Sequence, residues 1–145
     1  MYAFVDRPVT SLDRGSRFLI WSMRSWSLAV RQKHCPGPLL APAFAKWRMI
    51  GALQPFLRLM IAFERDSLMP VSFCSLRCLR IAEHEAIMLA VFVAMTSGDR
   101  LSVRDTLAGL VSEELVGDAL GSVEAIASAL AKAELVPAAP DAMRS

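Results

Sequence analysis

The chain has 145 residues, carries a formal net charge of +2 and is 54% hydrophobic, with a mean hydropathy of +0.41. This length suits one domain better than two, and the apolar content excludes disorder along most of the chain. The same content predicts either a large core or an apolar surface kept for a partner.

The N-terminal region is predicted to hold an arm at residues 1–12 and a first helix from about Asp13 to Lys33. Apolar residues at helical spacing form one stripe along this helix: Leu19, Met23, Trp26 and Val30. Basic residues recur at every seventh position and are predicted to form a line on its solvated side: Arg17, Arg24 and Arg31.

A stretch rich in proline and glycine, residues 34–38, ends this helix. A second helical stretch is predicted over residues 41–66 and divided at Pro55, whose ring either kinks a helix or begins a new one. Residues 69–79 are predicted to be extended, because Val71 and Phe73 alternate with smaller side chains after a proline.

The C-terminal half is predicted to contain three helices. The first, from about Ile81 to Thr96, is apolar on all sides beyond its first turn, which is typical of a central helix. The others cover about residues 103–116 and 123–135, with a break near Gly117 and Gly121. Residues 136–145 are predicted to be a flexible tail.

These elements predict an all-α, single-domain bundle of five to six helices around a central apolar helix, with a short extended loop that contains cysteines. The domain is expected to span residues 13–135, with a possible seam at 67–80. The longest apolar run has ten residues, whereas a membrane helix needs about 20, so no transmembrane span is predicted. Three cysteines, an odd number, fit a reducing compartment, and we expect a cytoplasmic protein.

Charge is divided unequally along the chain. Residues 1–80 carry 12 Lys/Arg and 4 Asp/Glu, whereas residues 81–145 carry 4 and 10. Either the basic half meets an anionic partner or the two halves neutralise each other in the fold. Contact with anionic membranes through the three arginines at spacing seven is a further interpretation.

Several residues are of the metal-ligand type, and they suggest a zinc or iron–sulfur site: Cys35, Cys74 and Cys78, with His34 or His84. Cys74 and Cys78 are separated by three residues in the extended loop, which resembles one half of a zinc site. The alternative is that the cysteines are small apolar residues and the histidines lie at the surface.

No motif indicates an enzyme. A glycine-rich phosphate loop and a serine-nucleophile elbow are both absent from the sequence. Nucleic-acid binding is disfavoured, because the tryptophans fall on the apolar stripes and the arginines fall off them. We therefore predict a non-enzymatic protein-interaction or regulatory module that self-associates or docks on a protein partner.

The expected partner-binding residues are large and apolar: Trp21, Trp26, Trp47, Met23 and Met60. These side chains could equally fill the core. A small metal-binding or redox protein that uses the cysteines is the alternative function.

From Phe18 to about Phe92 the sequence resembles a loose family of small uncharacterised alphaproteobacterial helical proteins. The resemblance is carried by four short segments: residues 21–26, His34-Cys35-Pro36, Ala43-Phe44, and the Cys74–Cys78 loop that leads into residues 83–86. It implies an all-helical fold and no particular activity.

Overall fold

A computed structural model describes residues 4–68 and 72–138. Within these ranges the chain forms six α-helices: α1 (Arg14–Arg31), α2 (Pro36–Lys46), α3 (Leu53–Asp66), α4 (Glu83–Thr96), α5 (Arg100–Ala108) and α6 (Glu113–Lys132). Single turns of 3-10 helix lie at Val9–Ser11 and Ile50–Ala52. The described residues contain no strand, only two isolated bridges. The predicted all-α bundle of five to six helices is therefore confirmed.

α1 begins where the sequence predicted, because Asp13 caps its N-terminus. The Asp13 carboxylate accepts a hydrogen bond from the Ser16 N–H at 2.7 Å, which satisfies one of the free amides of the first turn. The helix ends before Lys33, whose φ of 59° is left-handed and cannot continue it.

α2 begins earlier than predicted. Pro36 occupies the first turn, where a helix needs no N–H from the residue, so the proline-rich stretch both follows α1 and starts α2. Of the two alternatives predicted for Pro55, a kink or a place in the first turn of a new helix, the second is confirmed. The boundary between α2 and α3 precedes this residue. It lies at residues 47–52, where Arg48 has a φ of 62°, and Pro55 lies in the first turn of α3.

α6 is one continuous helix of 20 residues, so the predicted break near Gly117 and Gly121 is wrong. Each glycine costs about 1 kcal/mol relative to alanine in a helix. Burial of the apolar side chains around them outweighs this cost, because α6 packs against α3, α4 and α5.

α4 is the apolar helix predicted for the centre, and it contacts α1, α5 and α6. None of its residues 86–95 is exposed. The loop before α4 contains no helix or strand in its described part, residues 72–82; it turns at residues 76–77 and is bound to the N-terminal segment. Val9 N–H donates to the Leu79 carbonyl at 2.8 Å, and Asp6 N–H donates to the Ile81 carbonyl at 3.0 Å.

The chain ends described by the structure pack on the domain. Phe4 and Leu12 of the predicted arm are buried. In the predicted tail, Ala138 N–H donates to the second carboxylate oxygen of Asp13 at 2.8 Å. Residues 1–3 of the arm, 69–71 of the extended loop and 139–145 of the tail lie outside the described residues.

Candidate functional site

The predicted partner-binding residues divide into two groups. Met23, Trp26 and Met60 are at most 6% exposed, so the expectation that they contact a partner is corrected. They fill the core because helices from both sides cover their stripes. Trp21 is 36% exposed and Trp47 is half-buried, so both remain at the surface.

The predicted basic line of α1 is interrupted. Arg17 and Arg31 are exposed, but Arg24 is only 2% exposed and its side chain points inward. A burial of this kind is stable only when the charge is paired, and Arg24 pairs with Glu85 of α4. The expectation that Arg24 belongs to a solvated basic face is therefore corrected.

A groove of about 500 Å³ lies between α1 and α2 and brings aromatic and basic residues together. Helical spacing explains its composition, since positions three, four and seven residues apart share one face. Seven residues line it: Arg14, Arg17, Phe18 and Trp21 from α1, and Ala43, Lys46 and Trp47 from α2 and its C-terminal cap. We call this the cationic groove.

Ring contacts fix the shape of the cationic groove. The buried Phe18 ring lies 6.0 Å from the Trp47 ring and 6.5 Å from the Trp21 ring, measured between centroids. Behind it, the Phe44 ring lies 5.0 Å from Phe18 and belongs to the core. The Arg14 guanidinium carbon lies 5.1 Å from the Trp47 centroid, within the range of a cation–π interaction.

The charged side chains that line this groove are all positive. Three cations line it and no acidic side chain does. None of the three forms an ion pair with another described residue. Sequence reasoning named Arg17, Trp21 and Trp47 but missed Arg14 and Lys46. The signal was present in the spacing, because Arg14, Arg17 and Trp21 lie at i, i+3 and i+7.

A second groove of about 610 Å³ lies between α3 and α6. Its lining is mainly small and apolar, with one cation, Arg58, and one carboxylate, Asp118, among its charges. The cationic groove differs from it in having three like charges beside three aromatic rings.

The buried ion pair joins α1, α4 and the loop between α3 and α4. Arg24 Nε donates to Glu85 Oε2 at 2.7 Å, and Arg24 Nη2 donates to Oε1 at 2.9 Å. The same guanidinium donates to the carbonyls of Cys78 at 2.8 Å and Arg80 at 3.0 Å. The hydrogen bond and attraction of Glu85 raise the pKa of Arg24, against the lowering effect of burial.

The Glu85 carboxylate also organises the loop. It accepts the N–H of Cys74 at 3.1 Å and the N–H of Ala82 at 2.9 Å, and the latter bond closes the N-terminus of α4. His84 holds the start of the described loop, because its Nδ1 accepts the Ser72 N–H at 3.0 Å. The loop is therefore bound to the domain by side chains from the first turn of α4.

Two of the predicted metal-ligand residues, Cys74 and Cys78, interact with each other. Both are half-buried free thiols. A side-chain hydrogen bond with Cys78, then burial and the nearby Glu85 carboxylate, raise the pKa of Cys74, although the Arg24 charge opposes this.

The remaining predicted ligands do not complete a site in the described ranges. His84 binds the loop backbone, while His34 and Cys35 are exposed between α1 and α2. In residues 4–68 and 72–138, no three His, Cys, Asp or Glu side chains are arranged to hold a metal ion. The predicted ligand set is thus not assembled by these residues.

The raised pKa of Cys74 predicts its reactivity. In a Cys35→Ser protein, iodoacetamide labelling of Cys74 should rise with pH around a midpoint above that of a free thiol. Labelling is followed by peptide mass spectrometry, with the chain unfolded in urea as a reference. Since the pKa is raised in the folded chain, the associated stability is present below the unfolded thiol pKa and is lost as pH rises through the raised value.

A Cys78→Ala change should lower that midpoint, because alanine cannot form the side-chain hydrogen bond that is the largest cause of the raised pKa. An unchanged midpoint in this variant would contradict the assigned cause.

Among the described helices, none combines the length and the apolar character needed to cross a bilayer. Comparisons with protein-family models, curated proteins and solved structures gave no match. The resemblance to alphaproteobacterial helical proteins therefore stays a prediction.

Proposed function

We propose that this protein is a non-enzymatic interaction module that binds an acidic segment of a partner protein in the cytoplasm, with the cationic groove as its docking site. The observation that carries the proposal is the groove itself, in which three cations that form no ion pair with another described residue surround an aromatic floor. Charge complementarity selects carboxylates, and the floor accepts an apolar side chain placed between them.

The shape of the groove favours a peptide over other anionic partners. Nucleic-acid stacking needs open ring faces, but Arg14 lies over the Trp47 ring and Phe18 is buried. A membrane-binding surface presents apolar residues outward, whereas here the aromatic rings lie at the floor and walls of a concavity. An acidic peptide with one apolar anchor fits both its concavity and its charge.

Self-association through this groove is the competing interpretation within the same class. It would require the acidic C-terminal half of one copy to enter the groove of another, a contact between different faces that builds rings or open chains of copies. An external acidic partner involves no such growth, and we therefore favour it.

Direct binding tests this proposal. The probe is a fluorescein-labelled peptide of alternating glutamate and leucine pairs, and its control carries glutamine at every glutamate. Fluorescence anisotropy should show that the native protein binds the glutamate peptide at least about tenfold more tightly, a difference of about 1.4 kcal/mol. This preference should shrink between about 50 and 300 mM salt, since exposed charges are screened.

Single substitutions test whether the peptide binds in the cationic groove. Arg17→Gln and Lys46→Gln should each weaken binding severalfold by removing a groove cation, and Trp21→Ala should weaken it by removing a wall. Arg31→Gln is the matched control, because Arg31 is an exposed arginine of the same helix outside the groove lining. Unfolding midpoints close to that of the native protein show that each variant is folded.

Three results would overturn the proposal. One is equal affinity of the native protein for the glutamate and glutamine peptides. Another is an equal loss of peptide affinity in Arg31→Gln and in the groove variants. The third is binding of phosphatidylglycerol vesicles or of the protein itself, measured by sedimentation and light scattering, with no binding of the acidic peptide.

A further inference from the structure

The loop between α3 and α4 holds Cys74 and Cys78 on one buried ion pair. Cys74 N–H donates to Glu85 Oε2 at 3.1 Å, while the Cys78 carbonyl accepts from Arg24 Nη1 at 2.8 Å. Glu85 Oε2 is itself 2.7 Å from Arg24 Nε. The backbones of the two cysteines are therefore anchored to the two halves of the same ion pair.

The residues between the cysteines form a closed turn. Cys78 N–H donates to the Ser75 carbonyl at 3.1 Å, which returns the chain toward Cys74. This turn brings together the backbones that carry the two thiols, and a side-chain hydrogen bond with Cys78 is the largest cause of the raised pKa of Cys74. Both side chains are half-buried, so a small reagent can reach them.

From this arrangement we infer that Cys74 and Cys78 form a dithiol site that low-molecular-weight disulfides, such as glutathione disulfide, convert to an intramolecular disulfide. A thiolate of the pair attacks one sulfur of glutathione disulfide and releases one glutathione as its thiolate. The second cysteine thiolate then attacks the mixed disulfide, forms the Cys74–Cys78 bond and releases the second glutathione.

The reaction balances without another reactant. Two protein thiols are oxidised to one disulfide, and glutathione disulfide is reduced to two glutathione thiols, which take up the two protons. Cys35 is exposed, so the same reagent can reach it, and it is therefore removed in the experiment that follows.

The inference is tested on the full chain carrying Cys35→Ser, which removes the third thiol. After treatment with glutathione disulfide, the intact protein should lose the mass of two hydrogen atoms and resist iodoacetamide at both cysteines. Proteolysis should yield linked fragments that contain Cys74 and Cys78, and dithiothreitol should reverse the change. Cys35→Ser with Cys78→Ser is the control, in which one glutathione stays attached to Cys74.

Equilibrium measurements distinguish a dithiol site that the fold builds from two cysteines that are merely close in sequence. Across a series of glutathione redox buffers, the oxidation equilibrium constant of the folded chain should exceed that of the urea-unfolded chain by about tenfold or more. By linkage, the disulfide should raise the free energy of unfolding by about 1.4 kcal/mol or more.

Persistent glutathione adducts in the Cys35→Ser protein, or disulfides between molecules, would overturn the inference. So would an oxidation constant that is no greater in the folded chain than in urea. These outcomes do not depend on the cationic groove, since neither cysteine lines it.

Discussion

Replacing Arg24 with methionine should lower the free energy of unfolding by about 3–5 kcal/mol, because the Glu85 carboxylate then stays buried without its counter-charge. Glu85 is 0% exposed and lies in the first turn of the central helix α4, so water does not easily replace the guanidinium. Domains of this size are stable by about 5–15 kcal/mol, which makes the expected loss a large fraction of the total.

Urea unfolding followed by circular dichroism measures this loss as a lower midpoint at an unchanged slope. Arg31→Met is the matched control, since Arg31 is an exposed arginine seven residues along the same helix. It should change stability by no more than about 0.5 kcal/mol. If both variants lowered the free energy of unfolding by the same small amount, the ion pair would not stabilise the junction of α1, α4 and the loop.

The double variant Arg24→Met with Glu85→Met should be less destabilised than the sum of the single variants, because it leaves no unpaired buried charge. It should not regain the native stability. Arg24 also binds two loop carbonyls, and Glu85 binds the N–H groups of Cys74 and Ala82. Those backbone groups lose their partners in the double variant, at a cost of about 1 kcal/mol or more for each that stays buried.

Much of the helical architecture could be predicted from periodicity. The start of α1 follows from the Asp13 cap, and the place of α4 follows from its apolar run. The errors arose where local chemistry competes with packing. Glycines that would end an isolated helix are carried through α6 by burial of their neighbours, and Pro36 begins a helix because its missing N–H is not needed there.

The site was harder to predict, because position on a helix does not reveal what faces it. Spacing alone predicted the same role for Arg17, Arg24 and Arg31. Among the described residues, Arg24 alone of the three forms an ion pair with a carboxylate, that of Glu85, 61 positions later in the chain. The cationic groove likewise depends on how α1 packs against α2, which places Lys46 in the same groove as Arg17. Such pairings belong to tertiary structure and have no signature within one helix.

The N-terminus of α1 and the C-terminal segment meet at a point that leaves no room for a side chain. A Cβ built on Gly15 would lie 1.8 Å from the carbonyl oxygen and 2.6 Å from the carbonyl carbon of Leu135. Leu135 is buried at 3% exposure, and Ala138 N–H is bound to the cap residue Asp13. The Cβ is fixed to the backbone of α1 and meets the backbone of Leu135, so no side-chain rotation can relieve the clash.

Gly15→Ala should therefore destabilise the protein by about 1–3 kcal/mol or more, as overpacking does, although alanine is normally the better helix residue. The clash should displace residues 135–138, so hydrogen exchange at the Ala138 amide should speed up together with the lower urea midpoint. Gly117→Ala and Gly121→Ala are matched controls in α6, because at either position an added Cβ meets no atom within 4 Å apart from its chain neighbours and the backbone of its own helix.

Those two controls should be stabilising by up to about 1 kcal/mol each, since they change only helix propensity. One substitution, glycine to alanine within a helix, is thus expected to act with opposite signs, and the sign is set by what lies opposite the new methyl group. A Gly15→Ala protein as stable as the native chain, with unchanged exchange at Ala138, would mean that the C-terminal segment does not rest on α1 in solution.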